Sequence, residues 1–391
     1  IGLPMKADTQ LIDSGREEKW TQGGVNPVVQ RASTMVFDSV SDMKHATANR
    51  AGDTLFYGRR GTTTTFALSK AMTELEGGAG CALYPCGTAA ITSALLSFLK
   101  HGDHLLMVDT AYEPTRAFCD NMLKNLGIST TYYDPLIGKD IESLIQPNTR
   151  MLFLESPGSN TMEIQDVPTL SAIAHQHDIT VVLDNTWGSG LLFKPFDYGV
   201  DISIQAATKY IVGHSDAMLG TAVANKKHWP RLRENSYLLG QCAAPDDCYM
   251  ALRGIRTLSV RMKQHQQSAL TVAQWLKQQP IVKTVLHPAF EECPGHEYFK
   301  RDFSGSNGLF SFVVNCCDEA KITAMLDGFK HFKMGFSWGG FESLILPVNG
   351  LDRLRTAKPW TEEDRVIRVH IGLEDVDDLI DDLAQGLAKL S

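Results

Sequence analysis

Two side chains 25 residues apart, Asp184 and Lys209, are suited to one reaction centre. Asp184 closes the apolar run Thr180-Val181-Val182-Leu183, and Lys209 follows Ser203-Ile204-Gln205-Ala206-Ala207-Thr208. A carboxylate at the end of a buried strand faces the mouth of a sheet, where ligands of α/β proteins bind. A lysine set behind apolar and small residues is poorly hydrated, which favours the neutral, nucleophilic amine. Together they suit pyridoxal phosphate: the lysine forms a Schiff base with the aldehyde, and the aspartate keeps the pyridine nitrogen protonated so that the ring can accept electrons. Alone, Asp184 reads equally as a helix cap and Lys209 as a lysine whose stem lies along the surface.

Four further signals accompany the pair. Pro85-Cys86-Gly87-Thr88 follows a predicted strand and opens a predicted helix. Backbone N–H groups there, with the Thr88 hydroxyl, suit a phosphate, although the same text fits an ordinary strand-to-helix turn. Tyr57-Gly58-Arg59-Arg60-Gly61 offers a guanidinium between flexible residues, either a phosphate ligand or a solvated basic turn. Tyr112, in Ala111-Tyr112-Glu113-Pro114, presents a ring that can stack on a planar cofactor or sit at a rim. Arg368 interrupts the apolar strand Val366-Ile367-Arg368-Val369; turned inward it needs an anion such as an amino-acid carboxylate, and on an edge strand it would simply face water. Other chemistries lack their marks. Gly77-Gly78-Ala79-Gly80 precedes a strand where a dinucleotide fingerprint would follow one, and Gly213-His214-Ser215-Asp216-Ala217 lacks the second glycine of a nucleophile elbow. No Walker loop and no histidine or cysteine spacing for a metal is present, so no metal is expected.

These residues must be carried by a large core. The chain has 391 residues, 43% hydrophobic and 21% charged, with a formal charge of −8. That composition excludes disordered, collagen-like and coiled-coil chains and disfavours nucleic acid or an anionic membrane as partner. No window reaches the roughly 18 apolar residues of a membrane helix. The N-terminus lacks the pattern of a secretory signal, and Met5 reads as the natural first residue. Eight cysteines without paired spacing suggest reduced thiols and a cytoplasmic location.

Residues 1–60 show little periodicity, which predicts an arm lying on another surface such as a neighbouring subunit. Over residues 61–256, apolar runs at Cys81–Tyr84, His104–Val108, Ile128–Tyr133, Met151–Leu154 and Thr180–Leu183 alternate with helical patterns. Those helices are Thr88–Lys100, Glu113–Leu126, Asp140–Ile145 and Val167–His177, so the expectation is a mainly parallel sheet in an α/β/α sandwich. Over residues 257–391 the helices Leu258–Lys277 and Val376–Lys389 flank strands Leu309–Val314 and Val366–Ile371, predicting a smaller α+β domain.

Asp184-Asn185-Thr186 followed by Ala207-Thr208-Lys209-Tyr210 and Gly213-His214-Ser215-Asp216 resembles the Cys/Met-metabolism pyridoxal-phosphate enzymes. Tyr57-Gly58-Arg59, Glu155-Ser156-Pro157 and Ser337-Trp338-Gly339-Gly340-Phe341-Glu342-Ser343 extend the resemblance over residues 8 to 389. It implies the fold-type I transferase architecture, with Lys209 as the Schiff-base lysine and Asp184 against the pyridine nitrogen. It also implies Tyr112 stacked on the ring and as an alternative proton donor, and Gly87, Thr88 and Thr208 on the phosphate. Tyr57 and Arg59 would arrive from the neighbouring subunit of a homotetramer built of two tight dimers. Arg368 with Ser337 and Trp338 would bind the substrate carboxylate, near Tyr112, Tyr57 and Arg59. The chain departs from many relatives at Ala206, Ser159 and Phe336. Trp338, Trp187 and Tyr112-Glu113-Pro114 look like the branch that breaks a Cβ–S bond of an amino-acid thioether. The implied reaction is β-elimination of L-cystathionine to homocysteine, pyruvate and ammonia. γ-Elimination, γ-replacement and cysteine-conjugate cleavage at the same site are the alternatives.

Overall fold

The structure, a computed structural model, describes residues 5–361 and 365–390. Residues 1–4, read above as preceding the natural start, lie outside it, as do 362–364 and 391. Seven strands form the first sheet: β1 Gly80–Tyr84, β2 His104–Val108, β3 Ser129–Tyr133, β4 Thr149–Glu155, β5 Thr180–Asp184, β6 Ile202–Ala206 and β7 Gly220–Ala224. Their order is β1-β7-β6-β5-β4-β2-β3, parallel throughout except that β7 runs antiparallel to both neighbours. Strands such as Leu105–Val108 and Met151–Leu154 are buried on both faces because helices cover both sides of the sheet. This is the expected α/β/α sandwich. β6 and β7 were not evident as strands, since Ser203, Gln205 and Thr221 break their apolar pattern; all three are buried. The segment expected as one helix over Glu113–Leu126 is α-helical only at Glu113–Phe118 and widens to a π-turn at Cys119–Leu123.

The second sheet is β8 Val282–Leu286, β9 Leu309–Val314, β10 Leu344–Pro347 and β11 Arg365–His370, all antiparallel in the order β10-β11-β9-β8. Helices Leu258–Leu276 and Val376–Leu387 cover one face, burying Val272, Leu276, Leu379 and Leu383 against Phe310, Phe312, Ile367 and Val369. Side chains alternate along a strand, so Val366, Arg368 and His370 turn the opposite way, Val366 joining the core that reaches the first domain. β11 lies between β10 and β9, so Arg368 is not on an edge strand.

Within the N-terminal region, helices occur at Ala7–Asp13, Glu18–Thr21 and Val40–Ala48. Leu11 and Trp20 are only 2% and 3% exposed and join the core containing Ala67, Leu68 and Ala71 of the helix Thr63–Glu76. The guanidinium of Arg256 donates to Leu11 O at 2.7 Å and Ser14 O at 2.9 Å, securing this piece to its own chain. Beyond it, Val36, Val40 and Met43 stand exposed.

One carboxylate fastens the two domains beside the site. Asp109, just past β2, accepts from the backbone N–H groups of Thr356, Ala357 and Lys358 and from Arg116 at 3.0 Å and Arg355 at 3.4 Å. Burial alone would raise its pKa; the three N–H groups and Arg116 outweigh it and hold the carboxyl below the usual range. A lowered carboxylate pKa contributes stability above the ordinary value of 3.8 that is lost as pH falls through the folded value. Asp109→Ala leaves two buried guanidiniums short of a partner, which costs about 3–5 kcal/mol and should lower the apparent melting temperature by roughly 5–10 °C. A melting curve indistinguishable from wild type would show that the segment 355–358 is held by other contacts.

Among the described residues no helix is long and apolar enough to cross a membrane, and no group of three or more His, Cys, Asp or Glu is placed to hold a metal ion. All eight cysteines are free.

Candidate active site

A cleft of about 320 Å³ opens where the carboxyl ends of the parallel strands meet the second domain. It is lined by Gly87, Thr88, Tyr112, Asp184, Thr208, Lys209, Ser337, Trp338 and Arg368. Every expected site residue except Tyr57 and Arg59 is therefore brought together. Tyr57 is 44% exposed and does not line this cleft. Arg59 donates to Tyr237 O at 2.9 Å and lines a second cleft with Arg60 and Arg233.

Asp184 ends β5 with its side chain buried. Its Oδ1 accepts both the Thr186 N–H at 3.0 Å and the Thr186 hydroxyl at 2.5 Å. The Thr186 oxygen in turn accepts the N–H of Ala206 at 2.9 Å, so β6 fixes the rotamer of a carboxylate on β5. Burial raises the Asp184 pKa; the two Thr186 contacts and the Lys209 ammonium oppose this. The hydroxyl two residues after Asp184 was visible in the sequence, but its bridge to Ala206 required the strand pairing.

Lys209 follows the carboxyl end of β6, and its Nζ donates to Ser337 Oγ at 2.7 Å and lies 5.3 Å from the centre of the Trp338 ring. Burial, with the nearby Arg368 charge, lowers its pKa to about 8 against the opposing pull of Asp184. A substantial fraction is thus neutral amine near physiological pH, as a nucleophile requires. Gly339, at φ +86°, lets the Ser337–Ser343 loop reach the Lys209 backbone: a Cβ there would lie 3.0 Å from Lys209 Cα. The loop is clasped farther on by Ser215 Oγ donating to Glu342 at 2.5 Å.

The helix Gly87–Phe98 begins at the cleft, which Gly87 and Thr88 line, and its first amides lie beyond reach of any intrahelical carbonyl, the Ala89 N–H being capped by Cys86 Sγ at 3.4 Å. Gly87 is required there also by packing, since a Cβ would meet that of Ala206 at 2.6 Å. Thr208 lies in the cleft but its hydroxyl donates to Leu219 O at 3.2 Å and accepts Leu219 N–H at 2.9 Å. It must turn from Leu219 to serve an anion. Tyr112, 45% exposed, presents its ring to the cleft. Burial and the carboxylates Asp184 and Glu155 raise its pKa, against Arg368, so the phenol keeps its proton. Arg368 donates to Phe336 O at 3.1 Å and, among the described residues, carries a charge with no carboxylate partner. Asn160 reaches the cleft by a left-handed backbone turn at φ +68°.

An amine of lowered pKa, a buried carboxylate, a helix N-terminus and an exposed aromatic ring fit the aldehyde, ring nitrogen, phosphate and ring face of pyridoxal phosphate. Arg368, without an ion pair among the described residues, then remains for an anionic substrate group. The comparisons agree. Residues 8–388 match the family described as Cys/Met metabolism PLP-dependent enzyme. The chain is 56% identical over 389 residues to the cystathionine beta-lyase of Haemophilus influenzae, covering 98% of each. It is 54% identical over 391 residues to cystathionine beta-lyase MetC of Escherichia coli, covering 98% of this chain and 99% of that one. Among solved structures, metB from Corynebacterium glutamicum superposes with a TM-score of 0.90 at 27% identity over 99% of both chains.

Proposed function

The chain belongs to the Cys/Met metabolism PLP-dependent enzymes, and from that premise we propose that it is a carbon–sulfur lyase acting as a cystathionine β-lyase. It cleaves L-cystathionine with water to homocysteine, pyruvate and ammonia, a step of methionine biosynthesis. The observation that carries this reading is the convergence of Lys209, Asp184, Tyr112 and Arg368 in one cleft, together with full-length identity above one half to two cystathionine beta-lyases.

Lys209 Nζ would hold pyridoxal phosphate, which would supply an electron sink for the substrate's α-carbon. Asp184 holds negative charge against the ring nitrogen, and the first amides of the helix Gly87–Phe98, with Thr88 and Thr208, hold the phosphate. Arg368, with Ser337 and Trp338, binds the substrate α-carboxylate and aligns its Cα–H with the lysine. Lys209 Nζ, freed when the substrate amine takes its place, would then take the Cα proton and return a proton to the departing sulfur. The Tyr112 phenol, which keeps its proton, is the alternative donor. Ser337 is already within 2.7 Å of Nζ and steers the free amine. Tyr57 and Arg59 reach the cleft of a neighbouring subunit in a cytoplasmic homotetramer built of two tight dimers. The exposed Val36, Val40 and Tyr57 support that placement.

The test is product identity. Purified protein with L-cystathionine is expected to yield pyruvate and homocysteine. Oxobutyrate with cysteine would move the bond broken from β to γ and leave the lysine assignment standing, and no keto acid from cofactor-loaded protein would overturn the lyase reading.

A further inference from the structure

Glu155 lines the cleft and has no part in the mechanism above. It ends β4 as Asp184 ends β5, and the two are direct partners in the register of those parallel strands. Two carboxyl groups therefore stand side by side on the cleft floor. Asp184 is served by two Thr186 donors, whereas the Glu155 carboxyl accepts the backbone N–H of Tyr112 at 2.8 Å. Its own backbone is fixed: Gln165 accepts the Glu155 N–H at 3.1 Å and donates to Tyr133 OH at 3.1 Å. Tyr112, by contrast, sits in the short link between β2 and the helix Glu113–Phe118, with no side-chain cap at the start of that helix. A rigid acceptor thus holds the one residue whose ring must lie at a set height over the cleft.

We infer that Glu155 is a positioning residue that sets the Tyr112 ring over the cofactor by holding the Tyr112 N–H. The inference rests on reading this cleft as the pyridoxal-phosphate site. The charged and titratable groups facing Glu155 are Asp184 from β5 and the Tyr112 phenol from the link after β2. Burial and the Asp184 charge push the Glu155 carboxyl well above its usual range, against the Tyr112 N–H, which favours the neutral acid. A neutral acceptor has a near-isosteric stand-in in glutamine, and this separates the hydrogen bond from the charge.

The experiment compares wild type, Glu155→Gln, Glu155→Ala and Glu155→Asp after removal and re-addition of pyridoxal phosphate. It reads the dissociation constant by absorbance and the pH midpoint of the visible band of each loaded protein. Losing the contact in Ala should weaken cofactor binding about tenfold, and Gln should restore it to within about threefold with an unmoved midpoint. Asp is too short to reach the Tyr112 N–H and should behave as Ala, which keeps the test intact should Ala fold poorly. Ala and Asp proteins with wild-type affinity would overturn the inference, as would a Gln protein as weak as Ala with its midpoint displaced by about one pH unit, since the charge would then be what matters. A wild-type protein that takes up no pyridoxal phosphate would fail at the earlier step, removing the cofactor reading and this inference with it.

Discussion

Lys209→Ala is expected to lose turnover of L-cystathionine by about 10⁴-fold or more, because one amine serves both as cofactor attachment and as the carrier of two protons. Positioned proton transfer alone contributes about 10²–10⁴-fold. Loss of the attachment adds to it. The fold should survive, since the side chain makes one hydrogen bond, to Ser337, and alanine relieves the desolvation of an ammonium. The wild-type protein offers an independent reading of the same group. Only the neutral amine attacks an aldehyde, and burial lowers the Lys209 pKa to about 8 from the ordinary 10.5. The rate at which cofactor-free protein takes up pyridoxal phosphate should therefore climb with pH, reach half its limit near pH 8, and level off above. A rise continuing toward 10.5 would mean an ordinary solvated lysine. Near-wild-type lyase activity in a fully cofactor-exchanged Lys209→Ala protein would remove Lys209 from the mechanism.

What was legible in the sequence follows from how each group is held. Asp184 stood out because it closes an apolar run and Lys209 because it follows apolar and small residues, positions set by local pattern. Gly87 and Thr88 were legible for the same reason, as the opening of a helix after β1. The second-domain residues Ser337, Trp338 and Arg368 have no local reason to meet Lys209; the family resemblance, not periodicity, placed them there. Glu155 was quoted only within Glu155-Ser156-Pro157, and its contact with Tyr112 spans 43 residues. It exists only because β2 and β4 are neighbours in the sheet. Thr186 was read as part of a motif, although its function is a bridge between β5 and β6. β6 and β7 escaped because buried polar residues satisfy one another inside the sheet and so break the alternation that marks a strand. The early residues looked coreless because their helices are short and bury little beyond Leu11 and Trp20. The arm proposed to reach a neighbour is accordingly the exposed stretch beyond that anchor.

Asp184→Asn should keep the fold and still take up cofactor while lowering kcat about 10²–10⁴-fold, because removing one member of a buried charge pair costs about 3–5 kcal/mol. The side chain is preset for that charge. Thr186 N–H and hydroxyl both donate to Oδ1, which opposes the effect of burial on the carboxylate and leaves Oδ2 for a cation. Burial raises the Asp184 pKa in the cofactor-free protein. A protonated ring nitrogen stationed against it would act in the opposite sense, so cofactor binding and Asp184 ionisation reinforce each other. Asparagine can still accept from Thr186 through its carbonyl, so local geometry is retained and the charge alone is removed. Thr186→Val makes the complementary change: the charge stays and two hydrogen bonds go, that of the Ala206 N–H to the hydroxyl oxygen and the hydroxyl's own to the Asp184 carboxylate. That loss is worth about 1–1.5 kcal/mol, or roughly tenfold in kcat. The order expected is wild type, then Thr186→Val, then Asp184→Asn, with visible absorbance of bound cofactor in all three. If Asp184→Asn retained more than a tenth of the wild-type kcat, Asp184 would be a strand-end cap that the Thr186 N–H happens to satisfy. The electron-withdrawing power of the ring would then have to be maintained by some other group in the cleft, and Glu155, its register partner, would be the first to substitute.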